Sequence, residues 1–186
     1  MRQCMITLLL TLLVSALFVM GSVNANYPSI ETDDRLQTIL PIINQKVTYS
    51  DVVDCGSVSQ LDLFRRARLW VVQSGHSIDA PFLLSDKETG DLAGRFSQTI
   101  TIPRSENAAG GIYTFRYNYV IECANRKYRA VLTQIELDEG NGRYTPIETL
   151  CQKNEKNLPS ICQELDRQLN NLLGSLQESM KNYKAF

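Results

Sequence analysis

The sequence has few of the side chains on which most enzyme mechanisms depend. Its 186 residues include a single histidine, His76, and no Cys-x-x-Cys pair. It also lacks a glycine-rich phosphate loop, a recognisable Ser-His-Asp pattern and a pair of carboxylates with a known catalytic spacing. Metal sites need clustered ligands, and a catalytic base needs a positioned partner. The sequence therefore predicts no metal, no cofactor and no catalytic residue.

Positive charge is not in excess either. The chain has 19 Lys and Arg residues against 20 Asp and Glu residues, which gives a formal net charge of −1. Proteins that bind nucleic acid concentrate Lys and Arg on one surface, because each phosphate contact needs a cation. We therefore expect no nucleic acid among the partners.

Long apolar runs are absent after Met20, but one precedes it. Arg2 is the only charged residue before Glu31, and the run from Ile6 to Met20 is nearly all apolar. Small residues at 23–25 fit the pattern that a signal peptidase reads. A membrane anchor is the alternative, yet this run of about 15 residues is shorter than the roughly 20 needed for a helical span. The sequence predicts that residues 1–25 are a cleaved signal peptide. The mature chain is then exported, periplasmic or extracellular, with no membrane span.

Residues 26–46 form an N-terminal extension with two prolines and several acidic residues. This extension is either a tether with one docking patch or an irregular cover for the core. From Val47 to Cys55 the pattern predicts a first strand. Ser57 and Gln60 then match a capping box, so we expect a helix that ends near Gly75.

Alternation of apolar and polar residues predicts the other strands. It is clearest from Gly111 to Cys123, where every second residue is aromatic or apolar. The other predicted strands are 82–85, 92–102 and 128–137, the last forming a long hairpin with 111–123. After an irregular connection, Pro159 and a Ser160–Gln163 pair indicate the start of a long amphipathic helix. The element order is β-α-β-β-β-β-α, an α+β fold in which both helices pack on one face of an antiparallel sheet.

Five short motifs within this order resemble an exported bacterial domain of unknown function whose fold is similar to that of the TATA-box-binding protein (TBP). They are Val52-Val53-Asp54, the run from Leu63 to Trp70, the turn from Asp86 to Gly90, Tyr117-Asn118-Tyr119 and Lys127-Tyr128-Arg129. The resemblance covers residues 47–147 and implies a TBP-like five-stranded sheet and export, but no activity. Residues 148–186 then form a connecting segment and the C-terminal helix.

Four cysteines follow the signal peptide: Cys55, Cys123, Cys151 and Cys162. An even number in an exported chain favours disulfides, and three pairings are possible. The topology that the resemblance implies puts Cys55 and Cys123 at the same end of the sheet, so we predict that they pair. The predicted Cys151–Cys162 bond closes a short loop. Buried free thiols are the alternative.

The open face of the predicted sheet is the candidate site. It is expected to present Arg95 and Arg116 among Ser and Thr side chains and Asn118, and to bind an anionic or polar ligand of the cell envelope. The alternative is an ordinary solvated sheet face. Arg65, Arg66 and Arg68 form a second possible anion patch on the first helix. The chain is thus predicted to be a non-catalytic binding or assembly module, with an unknown envelope protein or polar ligand as its partner. The alternative is a hydrolase-like enzyme with a site near His76.

Overall fold

The computed structural model describes residues 39–76, 80–104, 110–150 and 157–183. The predicted signal peptide and Cys151 lie outside these residues. Eight strands and three helices are present in the described part of the chain. In chain order they are β1 (Ile42–Ile43), β2 (Lys46–Val47), β3 (Tyr49–Asp54), α1 (Gln60–Ser74), β4 (Leu84–Asp86), β5 (Asp91–Ile102), β6 (Gly111–Ala124), β7 (Lys127–Gly140), β8 (Arg143–Pro146), α2 (Ile147–Leu150) and α3 (Leu158–Asn182).

The five predicted strands form the main sheet in the order β3-β7-β6-β5-β4, and every neighbouring pair is antiparallel. The first strand lies beside the last predicted one, with Val53 opposite Tyr128. The resemblance implied this pairing, and the structure confirms it. Strand β8 adds a short pair to the far end of β7. Strands β1 and β2 form a separate two-stranded hairpin.

Helices α1 and α3 pack on one face of the sheet, as the alternation predicted. The buried side chains of β5 and β6 include four aromatic rings, and one of them, Phe96, packs edge-on against Trp70 of α1 with ring centroids 5.8 Å apart. Buried rings of this kind remove 150–250 Å² each from water, which makes them the main source of core stability. The Trp70 indole donates to Ser175 Oγ of α3 at 3.0 Å, so the two helices are also joined by a hydrogen bond.

Helix α1 begins two residues later than the sequence indicated. Its cap is Ser59, whose Oγ accepts from the amide of Asp62 at 3.2 Å. The predicted cap, Ser57, is wrong because residues 55–58 are held against the β6–β7 turn. Cys55 N donates to Arg126 O at 2.6 Å, and Arg126 N donates to Val58 O at 2.9 Å. The helix starts only after these bonds. It ends as predicted, at Gly75, whose φ of 68° favours glycine.

Helix α3 begins at Leu158, and the predicted Ser160 cap is wrong because Ser160 lies inside its first turn. Pro159 has a fixed φ and no amide hydrogen, so it fits the first turn and lets the helix start before the serine. The apolar stripe of α3, which includes Leu165 and Leu169, is fully buried. None of the helices in the described residues is long and apolar enough to cross a membrane.

The sequence did not predict strands β1, β2 and β8 or helix α2. Hairpin β1–β2 lies at the end of the extension, where Leu40 and Val47 are buried in the core. Glu148 of α2 accepts a hydrogen bond from the Val47 amide at 2.8 Å. The described part of the extension, residues 39–46, therefore covers part of the core.

Candidate binding face of the sheet

The alternation of the long strands divides the sheet into two unlike faces. Phe96, Tyr117 and Tyr119 point toward the helices and are buried. The residues between them point to the other side, which we call the open face. On β5 and β6 the open face carries Arg95, Ser97, Thr99, Thr101, Thr114, Arg116 and Asn118, all exposed or half-buried. The structure thus places every residue predicted for this face where the sequence put it.

Arg95 begins a row of polar side chains that crosses three strands. It lies opposite Asn118, and its Nε is 3.4 Å from Asn118 Oδ1. The Asn118 amide in turn donates to Gln134 Oε1 of β7 at 2.5 Å. Arg95 is exposed, and no carboxylate in the described residues pairs with its guanidinium. Most of its donors therefore remain available to a ligand.

Arg116 lies in the next row, opposite Ser97, but its charge is compensated. Its Nε donates to Glu136 Oε2 at 2.7 Å. Its guanidinium carbon lies 3.0 Å from the centre of the Tyr144 ring, which β8 supplies. Arg95 and Arg116 were predicted as an equivalent pair of anion ligands. In the structure they share the face, but of the two only Arg95 has no carboxylate partner within the described part of the chain.

A β-bulge explains why Glu136 reaches Arg116. The register between β6 and β7 shifts between Arg116 and Asn118, and Gln134 has a φ of 53°. The extra residue turns Gln134 and Glu136 toward the open face while Ile135 and Leu137 stay buried. The sequence pattern did not place Gln134, Glu136 or Tyr144 at this site. The buried residues of this strand fall at even positions up to Leu132 and at odd positions from Ile135. This switch in the alternation is the signal that could have revealed the bulge.

A second ion pair lies at the other end of the open face. Arg129 Nη2 donates to Glu122 Oε1 at 2.9 Å, directly across β6 and β7. Hydrogen bonding from Arg129 holds the pKa of the Glu122 carboxyl below its usual value. Arg129 is therefore a paired arginine on the same face as Arg95, which makes it a suitable control.

His76 has no catalytic arrangement in the described part of the chain. Its ring packs on Phe96 with centroids 6.1 Å apart, and its carbonyl accepts from Ser97 N at 2.7 Å. Neither a carboxylate nor a hydroxyl in that part of the chain hydrogen-bonds with the imidazole. The neighbouring Ser77 lies outside it. Among the described residues there is also no group of three or more His, Cys, Asp or Glu that could hold a metal ion.

Cys55 and Cys123 lie at the same end of the sheet, as predicted, but as free thiols. The predicted bond between them is not formed in this structure. Strand β7 separates their strands, because Val53 and Cys123 both lie beside Tyr128. Two strand spacings are about 9–10 Å, whereas the Cα atoms of a disulfide lie roughly 4.4–6.8 Å apart. Burial raises the pKa of the Cys123 thiol to about 12. Cys162 is buried in α3, and its predicted bond to Cys151 stays a prediction.

The three arginines of α1 do not form one patch. The Arg66 guanidinium donates to the Met180 carbonyl of α3 and lies 5.5 Å from the centre of the Tyr183 ring. Arg68 lies 5.2 Å from the centre of the Phe82 ring, on another side of the helix. Arg65 shares the Tyr183 ring with Arg66, at 5.8 Å from its centre, whereas Arg68 contacts Phe82. The predicted common anion site of all three arginines is therefore not assembled.

Comparison with known proteins agrees with this topology. A family model described as "Domain of unknown function (DUF4468) with TBP-like fold" matches residues 49–138. A crystal structure of a TBP-like protein from Parabacteroides distasonis is similar with a TM-score of 0.59 at 19% identity, covering 78% of this chain and 99% of that one. A DUF4468 family protein from Bacteroides ovatus is similar with a TM-score of 0.63 at 15% identity, covering 76% and 90%. At these identities the likeness shows the fold alone. No protein with a curated description matches the chain.

Proposed function

We propose a function from the chemistry of the site, because the family to which residues 49–138 belong, DUF4468, is a domain of unknown function with a TBP-like fold. The chain is an exported, non-catalytic binding module of the bacterial cell envelope. Its open face binds an anionic or polar group, presented by an envelope protein or a small ligand. Arg95 is the principal contact.

The uncompensated guanidinium of Arg95 is the observation that supports this proposal most strongly. The other arginines on the open face of β6 and β7, Arg116 and Arg129, each pair with a glutamate. Among the residues that the structure describes, Arg95 has only a 3.4 Å contact with the neutral Asn118. A guanidinium with free donors in a fork geometry matches a carboxylate or phosphate.

The neighbours of Arg95 suit a polar ligand as well. Asn118 and Gln134 continue the row across the sheet, and the hydroxyls of Thr99 and Thr114 lie 3.0 Å apart two rows further along the strands. The strands hold these groups on a rigid surface, which lowers the entropic cost of binding. Arg116, held by Glu136 and Tyr144, adds a guanidinium of fixed orientation to the same surface.

The export part of the proposal is supported by the N-terminal sequence. Residues 1–25 combine Arg2, an apolar run and small residues in the order of a secretory signal. The mature form, beginning near Asn26, is therefore the form to test.

Affinity capture from the organism's own envelope fraction tests the binding function. The bait is the mature, oxidised protein, and captured proteins are identified by mass spectrometry. We expect Arg95→Ala to reduce capture by roughly tenfold, because it removes a charge-assisted contact. The double variant Arg95→Ala with Arg116→Ala should abolish it. Arg129→Ala removes one positive charge from the same face and should leave capture unchanged.

Equal capture by wild type and the double variant would exclude the open face as the binding surface. An equal loss in Arg129→Ala and Arg95→Ala would show that net charge, not the Arg95 row, determines binding. Thermal unfolding of each variant separates either result from loss of the fold.

A further inference from the structure

One edge of the main sheet is only partly covered. Strand β5 has 12 residues, but its outer neighbour β4 has three and pairs only with residues 91–93. Two further backbone bonds from the described residues reach this edge: Leu83 N donates to Ala93 O at 2.8 Å, and Ser97 N donates to His76 O at 2.7 Å. From Gln98 to Ile102 no strand among the described residues pairs with β5 on this side. We call this segment, residues 98–102, the free edge.

The backbone groups at the free edge point outward. Ala93 O accepts from Leu83 N at 2.8 Å, and Ser97 N donates to His76 O, so odd-numbered residues of β5 point away from β6. The pairing of β5 with β6 runs without a register shift to Ile102. Thr99 and Thr101 must then present their N–H and C=O groups at this edge, and both residues are exposed.

The free edge lacks the side chains that usually protect a sheet edge. Natural edge strands carry charges, prolines or bulges that prevent the pairing of another chain. The opposite edge, β3, carries Asp51 and Asp54. By contrast, residues 96–102 contain no charged side chain and no proline, and the free edge itself reads Gln-Thr-Ile-Thr-Ile. Threonine and isoleucine at these positions favour an extended backbone.

We propose that the free edge binds an extended segment of a partner protein, which adds to the sheet as a further β-strand. The only charged residues between Leu92 and Ser105 are Arg95 and Arg104, and both are exposed. The matching segment is therefore a β-prone stretch with acidic residues at its ends. A second copy of this chain fits less well, because antiparallel pairing of two free edges would bring Arg95 of each copy near Arg104 of the other. The free edge binds through outward backbone groups of β5, whereas the open face binds through side chains, although Arg95, Thr99 and Thr101 belong to both surfaces. The inference does not depend on the proposed function.

Fluorescence anisotropy with a labelled synthetic peptide, Asp-Asp-Thr-Val-Thr-Val-Thr-Asp-Asp, tests the inference on the mature chain. The comparison peptide has Lys at the four Asp positions. We expect the acidic peptide to bind roughly tenfold more tightly than the basic one at low salt, with a difference that shrinks as salt screens the arginines. Equal affinity of the two peptides, or no binding of the acidic one, would overturn the proposal.

Two proline variants show which edge is used. Thr99→Pro removes an outward N–H of β5, and loss of edge hydrogen bonds should weaken acidic-peptide binding by roughly tenfold. Val52→Pro is the matched control on β3. Cys55 N points toward the β6–β7 turn, so the amide of Val52, three residues earlier, points away from β7. The Val52→Pro variant should therefore bind the acidic peptide as tightly as wild type does.

If Thr99→Pro fails to fold, Thr101→Glu serves instead, because its charge repels the acidic peptide while the backbone is unchanged. The proposal is contradicted if Thr99→Pro and Thr101→Glu both bind the acidic peptide as tightly as wild type does. Sedimentation gives a second test. If the chain forms a concentration-dependent dimer that Thr99→Pro abolishes, the free edge pairs with a second copy of the chain, and the proposal is wrong.

Discussion

Replacement of Gly94 by alanine tests the packing beneath the open face. Gly94 is buried in β5 opposite Tyr119 of β6. A Cβ at this position would lie 2.5 Å from Tyr119 Oη and 2.7 Å from two carbons of its ring. The ring cannot move away easily. It is buried against Phe96 with centroids 4.3 Å apart, and its hydroxyl donates to the Pro81 carbonyl.

The cost of this substitution follows from overpacking. Forcing an extra carbon into a well-packed core costs about 1–3 kcal/mol, because side chains leave their rotamers or the backbone shifts. For a chain of 186 residues, each 1 kcal/mol lowers the melting temperature by about 2–4 °C. We therefore expect Gly94→Ala to lower the melting temperature by about 2–12 °C, measured by circular dichroism.

Gly174→Ala is the matched control. Gly174 lies on the exposed side of α3, and no atom lies within 4 Å of the Cβ that alanine would add. Alanine is the better helix former by about 0.8–1.0 kcal/mol, so this variant should be more stable than wild type. Adding Tyr119→Leu to Gly94→Ala should give a smaller loss than the sum of the single losses, since the clash is removed. If Gly94→Ala melts at the wild-type temperature, or if the two losses are additive, the proposed contact with Tyr119 is wrong.

Two further predictions concern the helix cap and the response to alkali. Ser59→Ala should reduce the free energy of unfolding by about 1 kcal/mol in urea titrations, whereas Ser57→Ala should have little effect. A larger loss for Ser57→Ala would show that Ser57, not Ser59, caps the helix. Burial raises the pKa of the Cys123 thiol to about 12 from 9.0 and raises that of Tyr117 as well, so the folded chain keeps protons that the unfolded chain loses. The stability from these groups is complete below about pH 9 and declines as pH rises through their folded pKa values. Tyr117→Phe should flatten that decline in urea midpoints measured from neutral to alkaline pH, and an unchanged slope would contradict the reasoning.

Periodicity in the sequence was sufficient to predict the main sheet. The alternation in β5 and β6 identifies Phe96, Tyr117 and Tyr119 as the buried face, and the structure confirms this. The pairing of β3 with β7 came from the resemblance, because separation along the chain does not determine which strands are neighbours. Strand β8 and the β1–β2 hairpin are too short to give a periodic signal.

The details of the site depend on contacts that local patterns do not contain. Ser57 has the spacing of a cap, yet hydrogen bonds to Arg126 hold its segment outside the helix. Arg116 alternates correctly with its neighbours, but its ion pair with Glu136 depends on a bulge at Gln134, and its ring contact comes from Tyr144 of another strand. The sequence therefore predicted which residues share the open face, and the structure was needed to distinguish Arg95 from Arg116.

The most direct test of the binding function is photo-crosslinking in living cells. A benzoylphenylalanine at Val120 lies on the open face, between Ala93 and Val131. The same residue at Val72 lies on the exposed side of α1, which packs on the opposite face of the sheet. We expect a specific crosslinked product from position 120 that Arg95→Ala diminishes, and none from position 72. A product from position 72 alone, or one from position 120 that Arg95→Ala leaves unchanged, would contradict it.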